Sequence, residues 1–471
     1  MTHLAARAAG AEPAASTKDS GLSFSSGLAF YLGAILGTGV LALPSLAART
    51  AGPASLLVWA GLITASVPIA WTFASLGARM PDAGGVSTYA RRAFGDRVAG
   101  AIGWCFYLTI PVGIPAAAHF AGDYTAHSFG GGRVTALVTT GLIMVTVIVA
   151  NALGLRTSSM VQLGVAAVLV IMLVAAVAVA IPHVDLARLQ PFTPHGWSAI
   201  GQAFGLVVWA FSGWEDMSHL GGEFRSPARD LPRVTASALV VVGVLYLGLA
   251  VTTVLALPTD AAQGRAPLAA LLAYGLGGAA GPITAGLAVV LTLGVVNAFA
   301  AGCAKLGAAL GRDGSLPAWL GQGAAPGETP RHSLAVLAVL AFAGFAVLVA
   351  DAVSVTTLVL LTTSALVTVY VVAMAAALRL LPGRGERVVA AVGLALVGLV
   401  ATTFGWYLLW PAGIALAALA WTHRPSRSRS PWPGPPVAVD GRAGVGEPRP
   451  PGRATTRLVA ECCPARPHGE A

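Results

Sequence analysis

Long apolar runs follow one another along this chain, and short segments between them carry most of the polar and charged residues. A helix of about 20 apolar residues crosses the roughly 30 Å hydrocarbon core of a bilayer. The runs are apolar on all sides and lack the alternation over about ten residues that is typical of membrane β-barrel strands. We therefore predict about twelve transmembrane helices, at residues 23–47, 55–78, 98–121, 134–153, 158–181, 198–220, 234–257, 281–306, 333–350, 354–378, 387–403 and 405–422.

The composition supports this interpretation. Hydrophobic residues make up 56% of the 471 residues, and only 10% are charged. A soluble domain carries about 25% charged residues, so this chain has too few to cover a water-facing surface. The first apolar run continues past Pro44 without a cleavage site, and we expect it to remain as the first helix. The predicted fold class is an all-α membrane protein.

The basic residues predict an orientation. With the N-terminus in the cytosol, 24 of the 28 Lys and Arg residues fall on the cytosolic side, and only Arg49, Arg133, Arg188 and Arg265 fall outside. This is the positive-inside bias of membrane proteins, and it explains the net charge of +9 without a nucleic-acid partner. We expect a multi-pass protein of the bacterial inner (plasma) membrane with both termini in the cytosol.

The chain divides into three parts by composition. Residues 1–21 are polar and form a predicted cytosolic segment, and residues 22–423 form the twelve-helix domain. Residues 424–471 are rich in Pro, Arg and Gly, as in "PSRSRSPWPGPP", and are predicted to be a disordered basic cytosolic tail.

Two of the predicted helices contain breaking residues. The first reads "FYLGAILGTGVLALP", with Gly37 and Gly39 on either side of Thr38. The sixth reads "FGLVVWAFSGWEDMSHL", with Ser212 and Gly213 at its middle. Glycine weakens a helix, and two breaks five spans apart are typical of two five-helix halves repeated in inverted topology.

An interrupted helix has a chemical consequence. The unwound turns expose backbone N–H and C=O groups that we expect no side chain to cap, and half-helix N-termini attract a carboxylate. Unwound carbonyls attract an ammonium group, so two such breaks form a receptor for a zwitterion. The glycines alone equally fit a packing role, since Gly33 and Gly37 form a small-xxx-small pair. Glu215 favours the functional interpretation because a carboxylate within the membrane is costly, although a position at the helix end would also explain it.

At these residues the chain resembles the amino acid–polyamine–organocation transporters. The similarity spans most of residues 20–420. "LGTGVLALP" resembles the family's first-helix motif, and "FSGWED" with "GGEFRSPARDLPR" resembles its sixth helix and the following loop. "MPDAGGVSTYARRAFG" and "GRDGSLPAWL" resemble two further loops. Within the family, "TIPVGIPAA" and the sixth-helix order of Trp209, Phe211, Gly213, Glu215, His219 and Glu223 resemble the bacterial exporter of L-methionine and branched-chain amino acids.

The resemblance implies a five-plus-five inverted repeat with broken helices 1 and 6 and a substrate site at the breaks. The segment Leu36, Gly37, Thr38 and Gly39 would hold the substrate carboxylate, and Trp209, Phe211, Ser212 and Gly213 would hold the amino group. Glu215 would act in coupling or gating. The fifth helix lacks the lysine that some proton-coupled relatives carry there, which leaves the coupling ion open.

The residues around the breaks favour a neutral, mostly apolar amino acid. The predicted walls and polar groups are Leu36, Pro111, Val112, Trp209, Phe211, Trp214 and Phe299, with Thr38, Ser212 and Asn297. No Lys or Arg lies near the breaks, and an unpaired substrate charge in a dry site is expensive. Glu215 leaves a basic amino acid open. A transporter of an amine, a nucleobase or a metal ion, or a non-transporting sensor, are the alternatives.

The remaining candidate chemistry is sparse. We predict no enzyme activity, no metal site and no cofactor, with a proton or other ion gradient as the driving force. Cys105, Cys303, Cys462 and Cys463 show no metal-site or disulfide spacing, and all four are expected to be reduced. His119 and His127 are interpreted as histidines of the outer surface.

Overall fold

A computed structural model of the chain describes residues 24–80, 85–154, 159–215, 224, 226–322 and 329–422. The predicted N-terminal segment and basic tail lie outside the described residues. So do Asp216, His219 and Glu223 of the sixth-helix motif and part of the loop motif at residues 81–84.

The described chain is built from sixteen α-helices and several short 3-10 turns. In chain order the helices are α1 Phe24–Ile35, α2 Gly39–Ala51, α3 Ser55–Arg79, α4 Gly85–Phe94, α5 Asp96–Phe129, α6 Gly132–Ala152, α7 Ser159–Ala180, α8 Ser198–Val207, α9 Pro227–Leu255, α10 Thr259–Ala262, α11 Pro267–Leu276, α12 Ala280–Arg312, α13 Arg331–Val349, α14 Val355–Leu380, α15 Arg384–Thr402 and α16 Leu409–Thr422.

The prediction of an all-α membrane fold is confirmed. Ten helical segments of the described chain are long and apolar enough to cross a bilayer. They account for every predicted span except the first and the sixth, and these two are interrupted. The first consists of α1 and α2, and the sixth consists of α8, a 3-10 turn at Val208–Phe211 and the residues that follow. The two breaks thus fall where the five-plus-five arrangement requires them.

Helix α5 is the centre of the bundle. It packs against α4, α6, α12, α13, α14 and α16. Small residues make this packing possible: a Cβ added to Gly103 would lie 2.5 Å from Leu310 Cδ2, and one added to Gly122 would lie 2.4 Å from the Ala136 carbonyl oxygen. Such close approach replaces the hydrophobic driving force that helices lack in lipid. Helix α5 therefore fixes the positions of its neighbours closely.

Two helices lie in segments for which the sequence predicted only loops. Helix α4 buries Val86 and Tyr89, and α11 buries Leu268, Leu271 and Leu272. Each has ten residues, which is half the length that a membrane-spanning pattern needs. A search for runs of about 20 apolar residues does not find helices of this length.

The interpretation of His119 as a surface histidine is wrong. Its exposed fraction is 6%, whereas His127, eight residues later on α5, is exposed as expected. The sequence predicted an end to this helix near residue 121, but α5 continues to Phe129. His119 therefore lies nearly three turns inside the helix, where it faces α6 and not solvent.

Candidate functional site

The first spanning helix is broken at three buried residues. Helix α1 ends at Ile35 and α2 begins at Gly39, which leaves Leu36, Gly37 and Thr38 between them. Thr38 occupies the N-cap position of α2, but its side chain makes no capping hydrogen bond. Since the first N–H groups of a helix have no acceptor within it, this end of α2 presents backbone donors toward the break.

The sixth spanning helix ends by a different local mechanism. Helix α8 passes into the 3-10 turn at Val208–Phe211, and Ser212 is extended, with φ −74° and ψ 150°. The Ser212 hydroxyl donates to the carbonyl oxygen of Trp209 at 2.7 Å. Gly213 has φ +110°, a backbone conformation that residues with a Cβ atom rarely adopt. The glycine and the serine that the sequence singled out therefore do end the helix.

The two breaks lie against each other. A Cβ placed on Gly39 would be 2.9 Å from Trp209 Cδ1 and 3.2 Å from Ala210 Cα. The Tyr246 hydroxyl, on α9, donates to the carbonyl oxygen of Ile35 at 2.8 Å and lies 3.0 Å from that of Ala210. One phenol on a third helix thus bridges the last residue of α1 and the last turn of the sixth span.

The expectation that no side chain caps the unwound backbone is wrong in part. Tyr246 caps the carbonyl of Ile35 and lies within 3.0 Å of that of Ala210, and the N–H of Gly213 donates to Glu215 Oε2 at 2.9 Å. Within the part of the chain that the structure describes, the N–H groups of Gly37 and Thr38 have no backbone acceptor. The first break therefore has backbone donors left for a ligand.

Aromatic rings surround the breaks. Phe211 packs against Tyr246 at 5.3 Å and against Trp59 at 6.1 Å between ring centroids. The ring of Tyr31, on α1, meets that of Trp214 edge to face at 5.4 Å, and its hydroxyl donates to the Trp214 carbonyl oxygen at 3.2 Å. These contacts bury the predicted wall residues Phe211 and Trp214 beside the first helix.

Glu215 is the only Asp, Glu, Lys or Arg classed as buried among the described residues, with an exposed fraction of 4%. Besides the N–H of Gly213, its Oε2 accepts a hydrogen bond from the hydroxyl of Tyr370 on α14. The carboxylate thus joins the turn after the sixth-helix break to the tenth span. Sequence reasoning missed Tyr370, since a single tyrosine in an apolar run carries no local signal.

The other predicted site residues are placed as follows. The Trp209 ring lies 6.1 Å from that of Phe120, and its Cη2 would lie 3.1 Å from a Cβ on Gly113 of α5. Pro111 is buried, and Val112 and Phe299 are half-buried. The side-chain oxygen of Asn297 accepts a hydrogen bond from Asn151 at 2.7 Å, which places Asn297 at the contact of α12 with α6. The substrate roles of these residues stay predictions.

A small cavity adjoins the sixth-helix break on the side of α3, α14 and α15. Its lining includes Phe211, Trp214 and Tyr370, and its volume is about 30 Å³. That is room for about one water molecule. An amino acid cannot occupy this cavity.

Comparison with known proteins agrees with this architecture. The family model described as amino acid permease matches residues 22–424. An uncharacterized amino acid permease of Bacillus subtilis, YecA, is 33% identical over 392 residues, which cover 83% of this chain and 92% of that protein. The L-methionine/branched-chain amino acid exporter YjeH of Escherichia coli is 35% identical over 260 residues, which cover 54% of this chain and 61% of that protein. The branched-chain amino acid permease BcaP of Bacillus subtilis is 27% identical over 234 residues, 46% of this chain and 50% of that one. The broken first and sixth helices and these matches together show that the chain belongs to the amino acid permease family of multi-pass membrane transporters.

Proposed function

We propose that this protein is a secondary active transporter of neutral, mostly apolar amino acids such as methionine, leucine, isoleucine and valine, which it moves by alternating access. The observation that carries the proposal is the contact of the two helix breaks at Gly39 and Trp209. Two interrupted helices that meet within the bundle supply unwound backbone at membrane depth, where a zwitterion otherwise has no partners.

The carboxylate of the substrate is held at the first break. Gly37 and Thr38 lie in this break directly before the N-terminal end of α2, where the helix dipole favours a negative charge. A hydrogen bond to a charged group contributes about 1.5–3 kcal/mol. The substrate amino group is held by backbone carbonyls of the Trp209–Gly213 segment, with Asn297 as a further polar group.

The aromatic and apolar residues beside the breaks select the side chain. Trp209, Phe211 and Trp214 offer apolar surface, and the described residues around the breaks include no Lys or Arg. The carboxylate of Glu215 already accepts from Gly213 and Tyr370, so a basic substrate side chain would have to displace these partners. This arrangement favours a gating role for Glu215. Two of the similar proteins are named for branched-chain amino acids, which agrees with an apolar substrate.

The transporter lies in the inner (plasma) membrane with both termini in the cytosol, and an ion gradient drives it. Its coupling chemistry resides in its own side chains, without a cofactor.

Counterflow in proteoliposomes tests the proposal. Vesicles loaded with unlabelled leucine should accumulate labelled leucine at equal pH on both sides. External methionine, isoleucine or valine should compete, and aspartate should compete much more weakly. Protein-free vesicles give the background. Equal competition by aspartate would contradict the predicted substrate class, and an absence of counterflow for every amino acid would contradict the transport function.

A further inference from the structure

Four residues on one stretch of α5 contact four other parts of the molecule. His119 faces Thr140 on α6, and Phe120 packs against Trp209 at the sixth-helix break. Asp123 lies 3.3 Å from Arg265, in the segment that joins α10 to α11. Tyr124 donates to the Leu41 carbonyl oxygen on α2 at 2.8 Å and accepts from the Leu268 N–H at 3.2 Å. This stretch therefore connects both helix breaks to the α10–α11 segment.

The hydrogen bonds of Thr140 determine which nitrogen of His119 carries a proton. The Thr140 hydroxyl donates to the Ala136 carbonyl oxygen at 2.7 Å, so its only proton is used. His119 Nδ1 lies 3.2 Å from the Thr140 oxygen, and the tautomer that carries its hydrogen on Nδ1 fits this bonding of Thr140. In the neutral ring the lone pair is consequently on Nε2. The tight approach of α5 to α6 at Gly122 keeps this arrangement in place.

The lone pair on Nε2 faces another acceptor. Asp123 Oδ1 lies 3.7 Å from His119 Nε2, which is longer than an N–H···O hydrogen bond. Two acceptors that face each other in a nearly dry site leave a position for one proton between them. Histidine is the side chain that ordinarily titrates nearest neutral pH, which makes His119 the proton acceptor of this pair.

The same carboxylate oxygen holds Arg265. Asp123 Oδ1 is the partner of both His119 Nε2 and the Arg265 guanidinium. The other charges that act on the pair are those of Arg133, at the start of α6, and Arg49, at the end of α2. Arg133 is itself bonded to Asp351 and to the carbonyl oxygens of Leu348 and Val349. Arg265 is therefore the cation that competes directly with a protonated His119.

We propose that His119 and Asp123 form the proton-binding site of this transporter, and that a proton bound between them loosens the α10–α11 segment from α5. A hydronium ion from the aqueous side gives its proton to His119 Nε2 and becomes water, and the new imidazolium donates to Asp123 Oδ1. The net charge of His119, Asp123 and Arg265 together then changes from zero to +1. The positive charge on His119 therefore weakens the attraction between Arg265 and Asp123. The segment that carries Arg265 and Leu268 is held less firmly against Tyr124, and hence against α2 of the first break.

This inference rests on the proposed transport function, and the experiment separates the two. Counterflow of labelled leucine at equal pH and its accumulation driven by a pH gradient are measured in the same proteoliposomes. The wild type should show both. His119→Gln should lose the gradient-driven accumulation while exchange persists, since exchange needs no net proton movement. His127→Gln, on the same helix but exposed, is the matched control and should keep both.

Three outcomes are informative. Gradient-driven accumulation by His119→Gln at the wild-type level would overturn the proton-site proposal alone. If the wild type shows counterflow but a pH gradient does not change its accumulation of leucine, the proton-site proposal is also overturned. The transport function is then still supported. An absence of wild-type counterflow would contradict the transport function, and a measurement independent of transport then tests the proton site.

That measurement is NMR of protein with isotope-labelled histidine in detergent. The signal missing from His119→Gln belongs to His119, and its response is followed while the pH is varied across a range around neutrality. Asp123→Asn should move this titration to lower pH, because the imidazolium loses its carboxylate. Arg265→Gln should move it to higher pH, because a competing cation is removed. Asp123→Asn also replaces His119→Gln in the transport assay if the latter fails to fold. A His119 signal that does not change across this range, or does not respond to either substitution, would overturn the proposal.

Discussion

The carbonyl oxygen of Ala210, in the last turn before the sixth-helix break, lies 3.0 Å from the hydroxyl of Tyr246. The same hydroxyl donates to Ile35, the last residue of α1, from a position 211 residues away in the chain. A helix break leaves carbonyls without intrahelical partners, and in a membrane no water replaces them. A single phenol thus contacts one such group in each of the two broken helices, with its one proton directed to Ile35, and it links the two breaks.

Removing this hydroxyl should destabilise the protein and impair transport together. In Tyr246→Phe, the buried Ile35 carbonyl loses its donor and the Ala210 carbonyl loses a polar contact, and an unsatisfied buried acceptor costs about 1–3 kcal/mol. We expect a lower thermal unfolding midpoint in detergent and slower counterflow per folded molecule. Tyr274→Phe is the matched control, since it removes a similar bond to the Ala256 carbonyl at a partly exposed site away from the breaks. Equal behaviour of the two variants would contradict the bridging role.

The glycine at position 39 should not tolerate a methyl group. In Gly39→Ala the new Cβ would lie 2.9 Å from Trp209 Cδ1 and 3.2 Å from Ala210 Cα, and the latter is backbone that cannot easily move. We expect the breaks to be wedged apart, at a cost of about 1–3 kcal/mol in the free energy of unfolding. Gly33→Ala, on the same spanning helix, is the control, since its Cβ would meet only Ala166 Cβ at an ordinary 3.4 Å.

Gly39→Val separates the packing role from a role in binding. If the backbone at this break also binds the substrate carboxylate, Gly39→Val should lose about ten- to a hundred-fold in substrate affinity per folded molecule, the equivalent of one charge-assisted hydrogen bond. Normal yield and normal affinity of Gly39→Val would place the substrate site elsewhere. Reduced yield with unchanged affinity of the folded fraction would leave only the packing role.

The sequence predicted both breaks because their causes are local. Glycines around Thr38 weaken the first helix, and Ser212 followed by Gly213 ends the sixth through a side-chain bond and a positive φ. Tyr246 and Tyr370 could not be predicted as site residues. Each is a single tyrosine in an apolar run, and Tyr370 meets Glu215 across 155 residues of sequence.

The burial of His119 could not be predicted from the sequence either. A histidine near the predicted end of a spanning helix is expected at the surface. Its burial depends on the extra turns of α5 and on the close approach of Gly122 to α6. Both result from packing between helices. The hydrophobicity of one helical segment does not predict such packing.

The distribution of basic residues predicts the orientation of the bundle. A fluorescent protein fused after residue 423 should fold and fluoresce, because we expect that end in the cytosol. Alkaline phosphatase inserted near residue 190, in the segment between α7 and α8, should be active, because we expect this segment outside. The control exchanges the two reporters. The fluorescent protein near residue 190 should then not fluoresce, and alkaline phosphatase after residue 423 should be inactive. Phosphatase activity after residue 423, or fluorescence near residue 190, would contradict the predicted topology.

The bond between Tyr370 and Glu215 should matter for the transport cycle more than for folding. Glu215→Gln keeps the shape of the side chain but weakens its bonds to Gly213 and Tyr370, and Tyr370→Phe removes one of these bonds alone. If the pair holds the sixth-helix break in one gating state, both variants should slow counterflow, and the double variant should be little slower than Glu215→Gln. Such non-additivity is expected of two residues that act through one contact.

Tyr407→Phe, on a half-buried tyrosine with no such partner among its described bonds, is the control for loss of a phenol in general. Independent effects that multiply in the double variant would show that Tyr370 and Glu215 act separately. A large loss of stability in Tyr370→Phe, with normal counterflow per folded molecule, would make the bond structural. Loss of counterflow at a normal unfolding midpoint is the result expected if Glu215 gates the substrate path from its position beside the break.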